Sequence, residues 1–198
     1  EAIDAEFNIH DPDDIIIPTR RYGIFKQATG RIFKDFNPNI HVINPKKFHI
    51  SNDVLAEWVL ARSEDFHTKT PLAILWVALS PQNEAFVWQE WSPSPDKWVT
   101  DRICEEIAKK SGQMSFVCNV IDPLANSSNN NTGKTTIAEM NKKFYELKHE
   151  GLCTGGYWEP YNTKGNVGRD DITTRLQNAA KVGQPFNNIV LFNGIKKQ

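Results

Sequence analysis

Long apolar runs are missing from this 198-residue sequence, and none approaches the roughly 20 residues that a membrane-spanning helix needs. The first ten residues also lack the apolar stretch of a signal peptide. Cysteine is scarce, and the three residues Cys104, Cys118 and Cys153 do not follow a zinc-binding spacing. The sequence therefore predicts no membrane partner, and it predicts the reduced, buried thiols of an intracellular protein.

An excess of either charge is missing as well, because the formal net charge is −1 with 24% charged residues. A near-neutral total neither indicates nor excludes a nucleic acid partner, so any contact with DNA must come from a local patch. With 39% hydrophobic residues, the chain is long enough for one full core and an appendage. We assign residues 1–50 to a linker and hairpin segment and residues 51–198 to a single domain.

The apolar pattern predicts three strands followed by alternating helices and strands. The three strands cover residues 57–61 (running on into Asp65), 73–79 and 85–91, and short turns between them make an antiparallel meander. The elements that follow are a helix over 96–110, a strand over 114–121, a helix from Thr136 with a capping box to Glu139, a strand over 153–161, a helix over 170–182 and a strand over 187–192. This order predicts an α/β protein of ribonuclease H-like fold, with a central mixed sheet of three antiparallel strands and then parallel strands, flanked by helices.

In that fold the tips of the first and fourth strands lie side by side, and here they carry Asp65 and Asp122. Two such carboxylates repel unless a divalent cation lies between them, and Mg²⁺ favours carboxylates together with phosphate oxygens and water. A pair of ions roughly 3.5–4 Å apart can activate a water and stabilise the leaving oxygen of a phosphodiester. The alternative is that each aspartate only caps a strand end or a turn. From the pattern alone, this alternative is favoured for Asp65 and stays open for Asp122.

A second motif, at residues 132–135 with the letters TGKT, is similar to the end of a phosphate-binding P-loop. A P-loop needs a glycine at the position that Ser128 occupies. The loop of a P-loop also begins directly after the strand, whereas this motif begins later. We therefore expect no intact P-loop. We interpret the motif as a solvated helix start, with Lys134 as a candidate contact to a DNA phosphate.

Asp170 and Asp171 open the last predicted helix. Paired acids at a helix start are usually stabilised by the helix dipole, and we prefer this interpretation. A metal ligand, with Asp171 as the candidate, is the alternative.

Taken together, the order of these motifs resembles the large terminase subunits of tailed phages. Residues 22–43, with the letters YGIFK…GRIF…F…HVI, resemble the junction that follows the ATPase domain in that family. Asp65 and residues 70–90, with TPLAILWVA…FVWQE, are similar to the start of the family's nuclease domain. Residues 120–134, with VIDPLAN…TGK, resemble the region around its second metal ligand. The likeness runs from about residue 22 to residue 192.

The resemblance implies a metal-dependent endonuclease that cuts concatemeric viral DNA around genome packaging in the host cell cytoplasm. Asp65 and Asp122 would be the first and second ligands of Mg²⁺ or Mn²⁺, with two ions in the complete site. The expected partners are double-stranded DNA, the terminase small subunit and the portal, with no membrane.

The sequence departs from this family in two ways. The ATPase motor domain is absent, and the family's third acidic ligand, which follows the last strand, is not found before Gln198. Either the sequence ends before that ligand, which we prefer, or Asp170 or Asp171 replaces it. A chain without it is expected to bind metal weakly and to cleave poorly. The alternative function is a non-catalytic packaging or capsid-associated module on the same fold, which would not need a cation between the two aspartates.

Overall fold

The structure is a computed structural model, and it describes residues 33–44, 50–68, 70–94, 97–128, 133–161, 167–182 and 189–192. By spatial proximity the chain divides into two compact units, Glu1–Phe36 and Asn37–Gln198. Only residues 33–36 of the first unit are described, and the hairpin predicted over residues 22–33 lies almost wholly outside the described residues. The assignment of residues 1–50 to a linker therefore stays a prediction.

The second unit is built on a seven-stranded mixed sheet. In chain order its strands are β1 (Val42–Ile43), β2 (Val59–Asp65), β3 (Ala73–Leu79), β4 (Ala85–Trp91), β5 (Cys118–Ile121), β6 (Trp158–Pro160) and β7 (Ile189–Phe192). Their order across the sheet is β1-β7-β4-β3-β2-β5-β6. The pairs β2–β3 and β3–β4 are antiparallel, and the other four neighbouring pairs are parallel. The predicted mixed sheet of an antiparallel meander joined to parallel strands is confirmed.

Strand β3 lies at the centre of the sheet because its seven residues are all apolar. Alternate side chains in β3, among them Ile74 and Trp76, are fully buried, and the intervening ones are half-buried. A strand with apolar residues on both faces is stable only where both of its edges are paired and neither face is fully solvated. Strands β3 and β4 have the bounds that the sequence predicted.

The helices of the described part are α1 (Pro38–His41), α2 (Asn52–Ala56), α3 (Thr100–Ser111), a 3₁₀ helix (Pro123–Asn126), α4 (Thr136–His149) and α5 (Val167–Val182). Helices α3 and α4 pack side by side on one face of the sheet, and their apolar residues form the main core with β3, β5 and β6. The largest buried side chains of this core include Trp76, Ile107, Phe144 and Trp158. Burying each of them removes a large apolar surface from water, worth about 1.5–3 kcal/mol for an aliphatic or phenyl side chain.

Several element bounds differ from those that the sequence predicted. Strand β2 begins two residues later than predicted and runs to Asp65 as expected, whereas β5 is only four residues long. Helix α4 is capped one residue earlier than predicted, because the hydroxyl of Thr135, not of Thr136, accepts the N–H of Ala138 at 3.2 Å. The residues after Asp122, predicted as loop, begin with a turn of 3₁₀ helix started by Pro123.

The described residues also include the three cysteines and all the helices named above. Within the described ranges, no helix is long and apolar enough to cross a membrane. Cys104 and Cys153 are buried, Cys118 is half-buried, and all three are free thiols. Burial raises the pKa of the Cys104 thiol far above its usual range, so this side chain acts as a small apolar group.

Candidate metal centre

Asp65 and Asp122 lie next to each other at the carboxyl ends of two parallel strands. Asp65 is the last residue of β2, and Asp122 follows β5 directly. The register pairs Glu64 with Ile121, and the N–H of Asp122 donates to the carbonyl of Glu64 at 3.0 Å, so the ladder continues for one more residue. Asp65 and Asp122 are the next pair in this register. Successive side chains of a strand point to opposite faces of the sheet, and neighbouring strands lie about 4.8 Å apart. The carboxylates of Asp65 and Asp122 therefore both project from the sheet face opposite α3 and α4.

The carboxylate of Asp122 is held by two donors. Its Oδ1 accepts the backbone N–H of Leu124 at 2.7 Å, which caps the 3₁₀ helix. Its Oδ2 accepts the hydroxyl hydrogen of Tyr161 at 3.1 Å. A carboxylate offers about four lone-pair positions, so each oxygen keeps capacity for another partner. Asp122 therefore has a fixed orientation and can still bind a cation.

Asp65 is the more exposed of the two. Its Oδ2 lies 3.4 Å from Nε2 of His67, and the side chains of Asp65 and His67 are 60% and 47% exposed. A contact this open to water contributes little to stability. The carboxylate of Asp65 is therefore accessible to solvent and to a ligand approaching the edge of the sheet.

Tyr161 is a site residue that the sequence did not reveal. Its N–H donates to the carbonyl of Ile121 at 3.0 Å, which continues the β5–β6 ladder beyond Pro160. Partial desolvation, the hydrogen bond to Asp122 and the negative charges of Asp122 and Asp65 raise the pKa of Tyr161 above its usual range. The phenol is therefore a neutral hydrogen-bond donor at neutral pH.

Asp171 does not lie near the two aspartates. It forms an ion pair with Arg175 at 2.7 Å, and Arg175 in turn donates to the carbonyl of Asn83 at 2.6 Å. Asn83 is in the turn between β3 and β4, at the opposite end of β2 from Asp65, and a seven-residue strand spans roughly 23 Å. Within the described ranges, no three His, Cys, Asp or Glu residues are placed to hold a metal ion together. The structure therefore does not bring Asp171 into the site.

Lys134 lies in the segment between the 3₁₀ helix and α4. It precedes Thr135, the N-cap of α4, and Thr135 forms an isolated antiparallel bridge with Ser128. The side chain of Lys134 is exposed. Residues 129–132, which end with the first residue of the TGKT motif, lie outside the described residues. The role of Lys134 as a contact to DNA phosphate stays a prediction.

Arg62 supports the strands that carry the site. It is 1% exposed on the face covered by α3 and α4, and it donates to Oδ1 of Asn119 on β5 at 2.6 Å, to Oγ of Ser111 at 3.0 Å and to the carbonyl of Gly155, before β6, at 3.2 Å. Its guanidinium also lies over the ring of Phe116, 4.2 Å from the centroid. Burial lowers the pKa of Arg62 to about 10, which leaves the group charged at neutral pH. The buried guanidinium of Arg62 therefore links β2 with β5 and with the segment that leads into β6.

Glu64 is a buried carboxyl group directly beside Asp65. It points to the opposite face of the sheet, is 3% exposed, and its Oε2 has no hydrogen-bond partner among the described residues. Burial raises the pKa of Glu64 to about 7. The unfolded chain releases this proton near pH 4.3, so between about pH 4.5 and pH 7 the folded state holds a proton that the unfolded state has lost. The free energy of unfolding therefore falls as pH rises through this interval.

We expect Glu64→Gln to remove this dependence. The neutral amide has nearly the shape of the protonated acid, so the variant should match the wild type near pH 4 and exceed its free energy of unfolding by about 1–3 kcal/mol at pH 8. Urea denaturation between pH 4 and pH 8, with EDTA present, measures this difference. Glu159→Gln, at an exposed glutamate of β6, is the control. Parallel stability profiles for the wild type and Glu64→Gln would contradict the prediction.

The arrangement of the strands and helices defines a fold. A meander joined to parallel strands and flanked by helices matches the ribonuclease H-like fold of a nuclease domain. The fold predicted from the sequence is confirmed.

Solved structures of large terminases have this fold. The chain is similar to the P22 large terminase nuclease domain, with a TM-score of 0.57 and 10% identity over 85% of this chain and 75% of that one. It is also similar to the large terminase of the thermophilic bacteriophage D6E, with a TM-score of 0.54 and 16% identity over 88% of this chain. The chain spans 36% of the length of the D6E protein. No protein-family model and no curated protein sequence matches the chain.

Proposed function

We propose that this chain is the nuclease part of a viral DNA-packaging terminase, and that it hydrolyses DNA phosphodiesters with the help of Mg²⁺ or Mn²⁺. The observation that carries the proposal is the position of Asp65 and Asp122 as adjacent register partners at the carboxyl edge of the sheet. Ligand sites of open α/β sheets lie at this edge. The likeness in fold to large terminase structures supports a role in packaging.

The donors present fit a hard divalent cation. Asp65 and Asp122 offer only oxygen atoms, which Mg²⁺ and Mn²⁺ prefer, and both retain unused lone pairs. Mg²⁺ usually keeps several waters and binds through one or two carboxylates together with substrate phosphates. Two carboxylates at an exposed edge of the sheet provide part of such a coordination shell and leave the rest to water and phosphate oxygens. The presence of two ions stays a prediction.

A bound cation would stabilise charge on the phosphate and lower the pKa of a water molecule. The side chains of the protein supply position and access. Leu124 and Tyr161 fix the carboxylate of Asp122, and the exposure of Asp65 leaves room for a phosphate of the duplex. Contacts to the DNA backbone position a duplex without reading its bases, so we expect cleavage with little sequence preference.

The remaining features of this proposal follow from the family. Double-stranded DNA is the substrate, the terminase small subunit and the portal are the protein partners, and the host cell cytoplasm is the place of action. Lys134 is a contact to DNA phosphate, through a side chain that is exposed ahead of α4.

The experiment is a plasmid assay with the protein in molar excess. Supercoiled plasmid incubated with Mn²⁺ is expected to become nicked slowly, because the described residues provide two carboxylates and no third. EDTA should abolish the nicking, and Ca²⁺ in place of Mn²⁺ should reduce it. An intact plasmid together with no measurable binding of Mn²⁺ would contradict the proposal and favour the non-catalytic packaging module.

A further inference from the structure

Three residues form a row across three neighbouring parallel strands. The register pairs Glu64 with Ile121 and Ile121 with Pro160, and backbone hydrogen bonds of 3.0 Å extend both ladders by one residue. The next row is therefore Asp65, Asp122 and Tyr161. Because residues in one row of parallel strands point to the same face, all three side chains lie on the side away from α3 and α4.

The hydroxyl of Tyr161 controls the orientation of the Asp122 carboxylate. Rotation about the last side-chain bond of an aspartate is broad, so one hydrogen bond leaves the carboxylate plane loosely defined. The N–H of Leu124 holds Oδ1 at 2.7 Å, and the hydroxyl of Tyr161 holds Oδ2 at 3.1 Å. With a donor on each oxygen, the carboxylate plane is fixed before a cation arrives. A neutral donor achieves this without adding a third negative charge beside Asp65 and Asp122.

The hydroxyl of Tyr161 has no evident structural role. The side chain is 41% exposed and belongs to neither hydrophobic cluster of the core. Within the described part of the chain, its side chain forms one hydrogen bond, which is the one to Asp122. Removing the hydroxyl should therefore leave the fold intact and change only what Asp122 does.

We propose that Tyr161 is a positioning residue for the metal centre, one that orients Asp122 for cation binding. The inference rests on the proposed function, since it assigns Tyr161 a role in the same site. Partners that orient metal ligands typically change metal affinity by 10–100-fold when they are removed. Tyr161 acts through Asp122 and need not touch the cation.

The test compares Tyr161→Phe with the wild type by titration with Mn²⁺, followed by calorimetry or by the EPR signal of free Mn²⁺. We expect the dissociation constant for Mn²⁺ to rise by about 10-fold or more. Plasmid nicking should need more Mn²⁺ for half-maximal rate, whereas the rate at saturating Mn²⁺ should change little. The thermal unfolding midpoint should stay within 1–2 °C of the wild type, on the order of what a neutral surface change gives. Tyr157→Phe, at a 74% exposed tyrosine before the same strand, is the matched control and should bind Mn²⁺ like the wild type.

Asp122→Asn separates failure of this inference from failure of the proposed function. If Asp122→Asn loses Mn²⁺ binding and Tyr161→Phe binds as tightly as the wild type, the role of Tyr161 is overturned and the proposed function stands. If the wild type does not bind Mn²⁺, or if Asp122→Asn binds it like the wild type, both are overturned. A loss of affinity in Tyr161→Phe that also occurs in Tyr157→Phe would likewise overturn the role of Tyr161.

Discussion

Asp65→Asn and Asp122→Asn are each expected to lower the rate of Mn²⁺-dependent DNA nicking by roughly 10³-fold while leaving the fold intact. Each substitution keeps the size of the side chain but removes one of the two negative charges at the edge of the sheet. A cation held by one carboxylate binds more weakly and is less well positioned against a phosphate. The rate constant for loss of supercoiled plasmid measures the effect.

The matched control is Asp53→Asn, in the first turn of α2. Asp53 is exposed and lies in the helix before β2, whereas Asp65 ends that strand, so the same chemical change is made away from the candidate metal centre. It should leave the rate unchanged. The double variant at both site aspartates should be no slower than the single variants, because residues that act as a unit are not additive. Residual activity above one tenth of the wild type in both single variants would contradict a shared metal centre.

Gly156→Ala is expected to destabilise the protein by at least about 3 kcal/mol. Gly156 has φ = 150°, which side-chain-bearing residues rarely adopt, and an added Cβ atom would collide with Nη2 of Arg62 and lie 2.9 Å from Nδ2 of Asn119. These two side chains are buried and hydrogen-bonded to each other at 2.6 Å, so neither can move without breaking the network that joins β2, β5 and β6. A buried charge that loses its partners typically costs 3–5 kcal/mol.

Gly151→Ala separates the backbone contribution from the steric one. Gly151 has φ = 72°, and a Cβ atom there would meet nothing within 4 Å, so its substitution should cost only the roughly 1–2 kcal/mol of a left-handed residue. Urea denaturation of both variants provides the comparison. Equal destabilisation of Gly156→Ala and Gly151→Ala would show that contact with Arg62 does not matter. Because Arg62 supports the strands that carry both aspartates, Gly156→Ala should also weaken Mn²⁺ binding.

The sequence was most informative where burial alone determines the element. The seven apolar residues of β3 and the returning strand β4 were predicted with the correct ends. The sequence placed Asp65 at the end of β2, but the charged residues Arg62 and Glu64 in that strand did not reveal that they are buried. Arg62 and Glu64 are in fact buried beneath α3 and α4, where hydrogen bonds to side chains far along the chain compensate the charge of Arg62. A single sequence does not show these long-range partners.

The same limit applies to the site. Asp65 ends β2 and Asp122 follows β5, and these two strands are neighbours in the sheet, so the adjacency of the two aspartates could be expected from the order of the elements. Tyr161 enters the site only through the β5–β6 register, and no local pattern indicates that register. Asp171 has the right chemistry for a ligand, but its ion pair with Arg175 directs it toward Asn83 at the other end of the strands. The order of the elements in the sequence indicates which strand ends lie close together. Tertiary contacts determine which other side chains lie near those strand ends.

A crystal structure of the protein with Mn²⁺, with data collected at the manganese absorption edge, tests the central claim most directly. We predict an anomalous peak within coordination distance of carboxylate oxygens from both Asp65 and Asp122, on the sheet face away from α3 and α4. Asp122 should still accept the hydroxyl of Tyr161 in that structure. Manganese bound elsewhere, with both carboxylates free of metal at a saturating concentration, would contradict the account.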